Sequence, residues 1–531
     1  MSVEKNKSNI GASTPRSGAQ STVLRAAAKV GSWSMLSRIL GFVRDIFIAR
    51  ILGAGLLADA FFVALKLPNF FRRMFAEGTL TVALVPVLAE ERKKGEEDAH
   101  AYLNALAGML LAALLLFTIA GMVGMPWLLL AFAPGFQDEP ERWQQTLHLA
   151  RWMFPYLMMI SLAAMSWAVL NAYRKFSVAA ASPALLNIAM IFAAIVLAPS
   201  FDNPAEALAL GVLLGGFLQL AIQFPALKRI GWIPKPTWRP RLPAIAKTMT
   251  LFGPAVVSIA AVQINILVGT ILATLLPAGA VSYLYYADRI VQLPLALFGI
   301  AMGTALLPAL SEHLANQRVQ AAKDELKQGM AWLLWITLPA MLGLLWLAEP
   351  VIRTLFEQGA FTSADAQATA QALQAYALGL VLFCWARVLS IACYAEQDAK
   401  APMRFAIASV VANILFALLL IQPLGYVGLA LATSLAAFVN VGLLWWRIRT
   451  LHGGLFDAAS IYKMLAAVVA CVPMLLLLYG VEQVWSFPES GKGWQVLWLG
   501  VNIGAAMGVY FVAAWLLGGS LFKVKKGGVG A

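Results

Sequence analysis

The chain has 531 residues, 61% hydrophobic and only 12% charged, with a mean hydropathy of +0.77 and a net charge of +13. Soluble domains carry about a quarter of their residues as charges, so a chain this apolar falls outside that class. The positive balance does not point to nucleic acid, because the basic residues sit in short connections between apolar runs instead of on one face or tail.

Residues 1–26 are rich in Ser, Gly, Asn, Lys and Arg and lack an apolar core, which predicts a disordered basic tail and not a cleavable signal peptide. About fourteen apolar segments follow, each long enough to cross a bilayer as a helix. They lie near 27–51, 57–90, 102–130, 146–170, 177–199, 206–227, 246–275, 280–311, 329–350, 367–394, 402–422, 427–448, 460–480 and 495–520. None alternates as the strands of a membrane barrel would, so the class is an all-α polytopic membrane protein. Pro68 and Pro294 interrupt the second and eighth segments, which predicts bent helices of the kind in which transporters build sites.

Alternate connections are basic: Arg92-Lys93-Lys94, Arg174-Lys175, the stretch 228–247, Arg318 to Lys327, Lys400, Arg404, Arg447, Arg449, Lys463 and the 523–526 tail. The other side holds almost only Arg142 and Lys492, a ratio of about 27 to 2 that predicts cytoplasmic termini by the positive-inside rule.

The chain also repeats. The segment around Asn187 matches that around Asn413, residues 208–220 match 429–441 without a gap, and 84–90 resemble 306–312. Partners lie about 221–226 residues and six spans apart, so the two units share one orientation as parallel repeats. The predicted organisation is a lobe over 27–230, a second over 231–450, and two further spans with a basic C-terminus over 451–531.

Cys384, Cys393 and Cys471 lie in apolar helices and the four histidines are scattered, so neither a disulfide nor a metal site is indicated. No phosphate loop, HExxH or nucleophile elbow occurs, which argues against an enzyme. No cofactor is expected; an ion gradient, the membrane potential or product removal would drive transport.

The chemistry lies in charges within spans, each costing about 2.5–3.5 kcal/mol on insertion scales. The first span carries Arg38, Arg44, Asp45 and Arg50, and the second Asp59, Lys66, Arg72, Arg73 and Glu77. The eighth carries Asp288 and Arg289, and the tenth Arg387. On a straight helix Asp59, Lys66 and Arg73 form one stripe, and Arg38 and Asp45 share a face. Arg44 lies about 120° away, and a bend at Gly41 would bring it round. The bland reading is that these charges pair to hold helices together. Against it, cations outnumber carboxylates, and surplus arginine suits a phosphate, which a guanidinium grips with two donors.

The stretches "SRILGFVRDIFIARILGAGLLADAFFVALKLPNFFRRMFAEG" (37–78), "YYADRIVQLPLALFGIAMGTALLPALS" (285–311) and "YAEQDAKAP" (394–402) resemble the MurJ/MviN lipid II flippases. The resemblance covers nearly the whole chain after the tail and implies the multidrug/oligosaccharidyl-lipid/polysaccharide exporter superfamily. That fold has fourteen spans and two lobes around a V-shaped cationic cavity worked by alternating access. The last two spans of family members form a groove for the polyprenyl tail.

The implied substrate is lipid II, undecaprenyl pyrophosphate bearing a disaccharide-pentapeptide, moved between leaflets of the bacterial inner membrane. Lipid II and membrane lipids are the implied partners, with no nucleic acid and a functional monomer. The family's functional charges match Arg38, Arg44, Asp59, Arg72 and Arg289. Asp45, Lys66, Arg73, Glu77, Asp288 and Arg387 are further cavity candidates, and the helix wheel favours Arg73 where the resemblance favours Arg72. Relatives commonly have an acid where this chain has Gln292, and the acidic ligands of a cation site near Asn413 and Thr433 are missing.

An exporter of another lipid-linked glycan or of drugs would share this fold. A membrane glycosyltransferase would need a sizeable extramembrane loop with paired carboxylates, and no connection exceeds about 25 residues.

Overall fold

The computed structural model describes residues 17–75 and 78–518, and every regular element among them is helical. The first lobe comprises α1 (Ser17–Leu52), α2 (Leu56–Phe75), α3 (Thr79–Lys94), α4 (Glu96–Val123), α5 (Met125–Phe132), α6 (Pro140–Met153), α7 (Tyr156–Ala172), α8 (Phe176–Phe192), α9 (Pro204–Ala221) and α10 (Gln223–Arg229). The second comprises α11 (Pro243–Thr274), α12 (Ala280–Pro294), α13 (Ile300–Ala315), α14 (Val319–Trp346), α15 (Ala348–Phe356), α16 (Ser363–Ala377), α17 (Leu380–Ala395) and α18 (Lys400–His452). Two more helices, α19 (Ala458–Val484) and α20 (Lys492–Gly518), complete the described chain.

Each expected apolar segment falls on helix. The eleventh and twelfth are the two arms of α18, which turns at Gly425 just after Pro423; its φ of 54° and ψ of −130° suit only glycine. Among the described residues nine helices are long and apolar enough to cross a membrane, which makes this a multi-pass membrane protein. The first, second, seventh and eighth segments are not among them; the first, second and eighth are charged or broken, and of the seventh only Gln263–Thr274 counts, as a shorter apolar helix.

The duplication read from the sequence reappears as packing. In the first lobe α1 packs on α8, α2 on α6, α4 on α7 and α7 on α9; in the second α11 packs on α18, α12 on α16, α14 on α17 and α17 on α18. Helix breaks recur at matching places, Gly124 against Leu347 and Phe154–Pro155 against Leu378–Gly379. Matched asparagines play matched roles: Asn187 Nδ2 donates to Ser37 O at 2.9 Å, and Asn413 Nδ2 to Asn265 Oδ1 at 3.3 Å. Each thus ties the fifth span of its lobe to the first.

Three local expectations differ from the structure. Helix α1 already includes residues 17–26 of the expected tail, while 1–16 and the basic 519–531 lie outside the described residues. α2 runs without a break through Pro68, and the second span is interrupted instead before α3, at Gly78, whose φ of 87° a side chain would resist. α1 also continues through Gly41, where the missing side chain lets Asn187 lie close. The bend at Pro294 does occur, as a π-helical turn over Leu295–Gly299 between α12 and α13.

The lobes share one core at one end, and at the other they divide except for the start of α11, which packs on α3 and α4 of the first lobe. One hydrophobic core runs through both at the charge-poor end, from Ile48, Phe61 and Phe136 to Leu272, Tyr286 and Phe361. At the basic end there are two separate cores, one around Leu84, Tyr102 and Val169 that also takes in Ile245 at the start of α11, the other around Leu310, Met330, Leu389 and Leu444. The joined end is close enough for backbone to meet backbone. Ala360 N donates to Arg50 O at 2.9 Å, and a Cβ on Gly53 or Gly359 would fall 2.5 Å from Ala360 O or 2.3 Å from Arg50 O. α19 and α20 pack on each other and on α14 and α15, outside the repeat.

Candidate functional site

Two buried carboxylates of the first lobe reach across the junction. Nearest the charge-poor end, Asp59 is 0% exposed on α2. It accepts from the backbone N–H groups of Gly279 and Ser282 (both 2.8 Å), from the Ser282 hydroxyl (2.5 Å) and from Arg142 Nη2 (2.5 Å). Its charge thus caps the N-terminus of α12, where unpaired N–H groups and the helix dipole favour an anion. Arg142, also 0% exposed, lies 3.9 Å over the Phe136 ring and donates from Nη1 to Leu276 O at 3.2 Å.

Two turns deeper along α12 lies the second cluster. Asp45 Oδ1 accepts from Arg44 Nε (3.0 Å) and Nη2 (2.7 Å) and from the Tyr285 hydroxyl (3.1 Å). Asp45 Oδ2 lies 3.0 Å from Arg289 Nε, an ion pair without hydrogen-bond alignment. Arg289 Nη2 donates to the Tyr285 oxygen at 2.9 Å, and Arg44 Nη1 to Asn187 Oδ1 at 3.0 Å. Tyr285 is stacked on Phe62 with centroids 3.9 Å apart, which fixes its hydroxyl between the two guanidinium groups. Two cations from different lobes therefore share one carboxylate.

Further cations lie towards the basic end. Arg38, six residues before Arg44 and so about 9 Å away along α1, is exposed and has no side-chain hydrogen bond or ion pair among the described residues. Arg72 Nε donates to Asn69 Oδ1 at 3.1 Å, and Arg73 beside it is more exposed. Lys66 Nζ donates to Thr270 Oγ1 of α11 at 3.1 Å, while Asp288 is bonded to Gln292. Arg387 borders a cavity of about 380 Å³ with Ser390, Tyr394 and Asn440.

The structure thus brings Arg44, Asp45 and Arg289 together and puts Asp59 in a separate, sealed position. The stripe expected from the helix wheel does not act as one: Asp59 turns to Arg142 and Lys66 to Thr270, while Arg73 is exposed. Arg44 needs no bend at Gly41, because its side chain folds back on the neighbouring Asp45. Glu77 lies outside the described residues. Arg142 and Tyr285 are the residues that sequence reasoning missed. Arg142 reads as an outer-loop cation because it follows Pro140, yet that proline opens a helix that buries it. Among the described residues no group of His, Cys, Asp or Glu is arranged to hold a metal.

If Asp45 is the hub, its removal leaves the buried Arg44 guanidinium facing the partly exposed Arg289, and breaking the buried Arg44–Asp45 pair costs about 3–5 kcal/mol. Tyr285→Phe removes one hydroxyl worth about 1 kcal/mol. Thermal unfolding in detergent should therefore show a much larger drop for Asp45→Asn than for Tyr285→Phe; the reverse order would assign the hub to the tyrosine.

A model of the family described as lipid II flippase MurJ matches residues 48–490. A probable lipid II flippase MurJ of Haemophilus influenzae is 38% identical over 500 residues, covering 91% of this chain and 98% of that protein. A solved structure of a lipid II flippase MurJ in an inward closed conformation superposes with a TM-score of 0.78 at 26% identity, over 93% of this chain and 99% of that one. An inward-facing multidrug transporter of the MATE family shares the fold, with a TM-score of 0.62 at 16% identity over 80% of this chain and 98% of that one. With lobes joined at one end, paired charges at the junction and a family match over most of its length, this chain belongs to the lipid II flippase MurJ family.

Proposed function

We propose that this chain moves lipid II from the cytoplasmic to the periplasmic leaflet of the bacterial inner membrane by alternating access, with both termini cytoplasmic. The observation that carries this reading is the run of arginines at the head of a cleft that is split at the basic end and sealed at the other. By the positive-inside rule the basic end is cytoplasmic, so the cleft faces the leaflet in which the precursor is made. Arg38 and Arg72 meet the pyrophosphate first. Deeper in, an anion competes with Asp45 for Arg289 and Arg44, and because these come from different lobes, binding there draws the lobes together.

The polyprenyl chain remains in lipid beside α19 and α20, whose outer faces are apolar at Leu465, Val468, Val472, Leu497, Val501 and Phe511. No cofactor takes part; the membrane potential or an ion gradient supplies the direction, and one chain suffices. Arg387, Asp288 and Lys66 line the route of the sugar and peptide.

In reconstituted vesicles, alanine at Arg38, Arg44, Arg72 or Arg289 should slow flipping at least about tenfold, with lysine rescuing poorly because an ammonium lacks the planar pair of donors. Normal flipping by the alanine variants would reduce these charges to structural pairs. The orientation is tested separately. Single cysteines at the exposed Gln137 and Ser490 should react with an impermeant thiol reagent in intact spheroplasts, and cysteines at Lys93 and Arg239 should not. Reaction of the second pair alone would invert the topology.

A further inference from the structure

Arg142 has no role in the cleft, yet it is the largest fully buried side chain among the described residues. Its surroundings become informative when the two lobes are compared. Asp59 is the fourth residue of α2, and the fourth residue of the matching α12 is Tyr283. Arg142 is the third residue of α6, and the third residue of the matching α16 is Asp365. Both pairs are in contact: Asp59 with Arg142 at 2.5 Å, and the Tyr283 hydroxyl with Asp365 at 3.2 Å.

One ancestral contact between the second and fourth spans has therefore become two different things. In the second lobe it is a half-buried bond whose carboxylate also caps α16. In the first lobe it is a sealed ion pair, and each member also touches the opposite lobe. Asp59 holds the N-terminus of α12, and Arg142 holds Leu276 O.

From this we infer that Arg142 is a positioning residue for the gate at the charge-poor end: with Asp59 it forms a charge-neutral latch that belongs to the first lobe and grips the second. The ion pair joins α2 and α6, which pack on each other, so it travels with its lobe. The bonds that break on opening are those to Gly279, Ser282 and Leu276, all between a charged group and neutral donors or acceptors. Opening then costs hydrogen bonds that water can replace, and no opposite charges have to be separated. Without Arg142 the closed state would bury a lone carboxylate, and without Asp59 a buried guanidinium left only with the half-exposed Glu139, 3.4 Å from Nη1; either penalises closure.

The inference rests on the alternating-access reading but not on the identity of the cargo, so its test uses no lipid substrate. Cys384, Cys393 and Cys471 are replaced by alanine, and a single cysteine is placed at Ala54 or Ala280, both buried at the seam. Labelling by an impermeant maleimide in proteoliposomes then reports opening. Arg142→Met and Asp59→Asn should each speed labelling at least about tenfold, since each strands a charge in the closed gate. The combined Arg142→Met/Asp59→Asn variant strands none and should return to within about threefold of the parent, the coupling expected of residues that act as a pair. A merely structural role would give additive effects, with the combined variant labelling fastest. That result, or single variants that label like the parent, would overturn the latch. Failure to flip lipid II in a separate assay would leave it standing.

Discussion

A charge held between helices in a membrane must find a partner, and two carboxylates on the first lobe meet that requirement for the junction. Asp45 neutralises one guanidinium from each lobe, and Asp59 neutralises Arg142 while capping a helix of the other lobe. Both are essentially inaccessible, where electrostatic interactions are least screened and an unpaired group is most costly. The apolar core that runs through both lobes surrounds these two points, and the close backbone contacts at Gly53 and Gly359 lie beside them. Remove the carboxylates and the joined end has packing but little that fixes one arrangement over another.

The two lobes share ancestry but do not contribute equally. The first supplies the carboxylates; the second supplies a helix N-terminus, a hydroxyl and a guanidinium. A junction built this way is directional in chemistry although the fold is a repeat.

Much of this was legible in the sequence, because hydrophobic length and loop charge are the signals a bilayer imposes. The helical segments, the repeat offset and the clustering of charge on the first, second and eighth spans all follow from them. What escaped depends on side-chain reach. A helix wheel assumes that residues seven apart look at the same neighbour, but Asp59 meets Arg142 of α6 and Lys66 meets Thr270 of α11. Arg142 looked like a solvated loop cation, and only the position of Asp59 across from it reveals the pair. The proline signal was half right: Pro294 precedes a π-helical turn, whereas α2 accommodates Pro68 and breaks nearer Gly78, where a positive φ suits glycine.

In the proposed cycle one cleft, closed at the charge-poor end, opens there when an anionic lipid headgroup engages arginines from both lobes. Pulsed electron–electron distance measurements between spin labels on the exposed Gln137 and Ala360 would follow that end directly in lipid nanodiscs. A single short distance is expected without substrate. A second, longer population should appear on adding lipid II, and it should be lost in Arg289→Ala. A distance that ignores lipid II, or lengthens equally in Arg289→Ala, would contradict it.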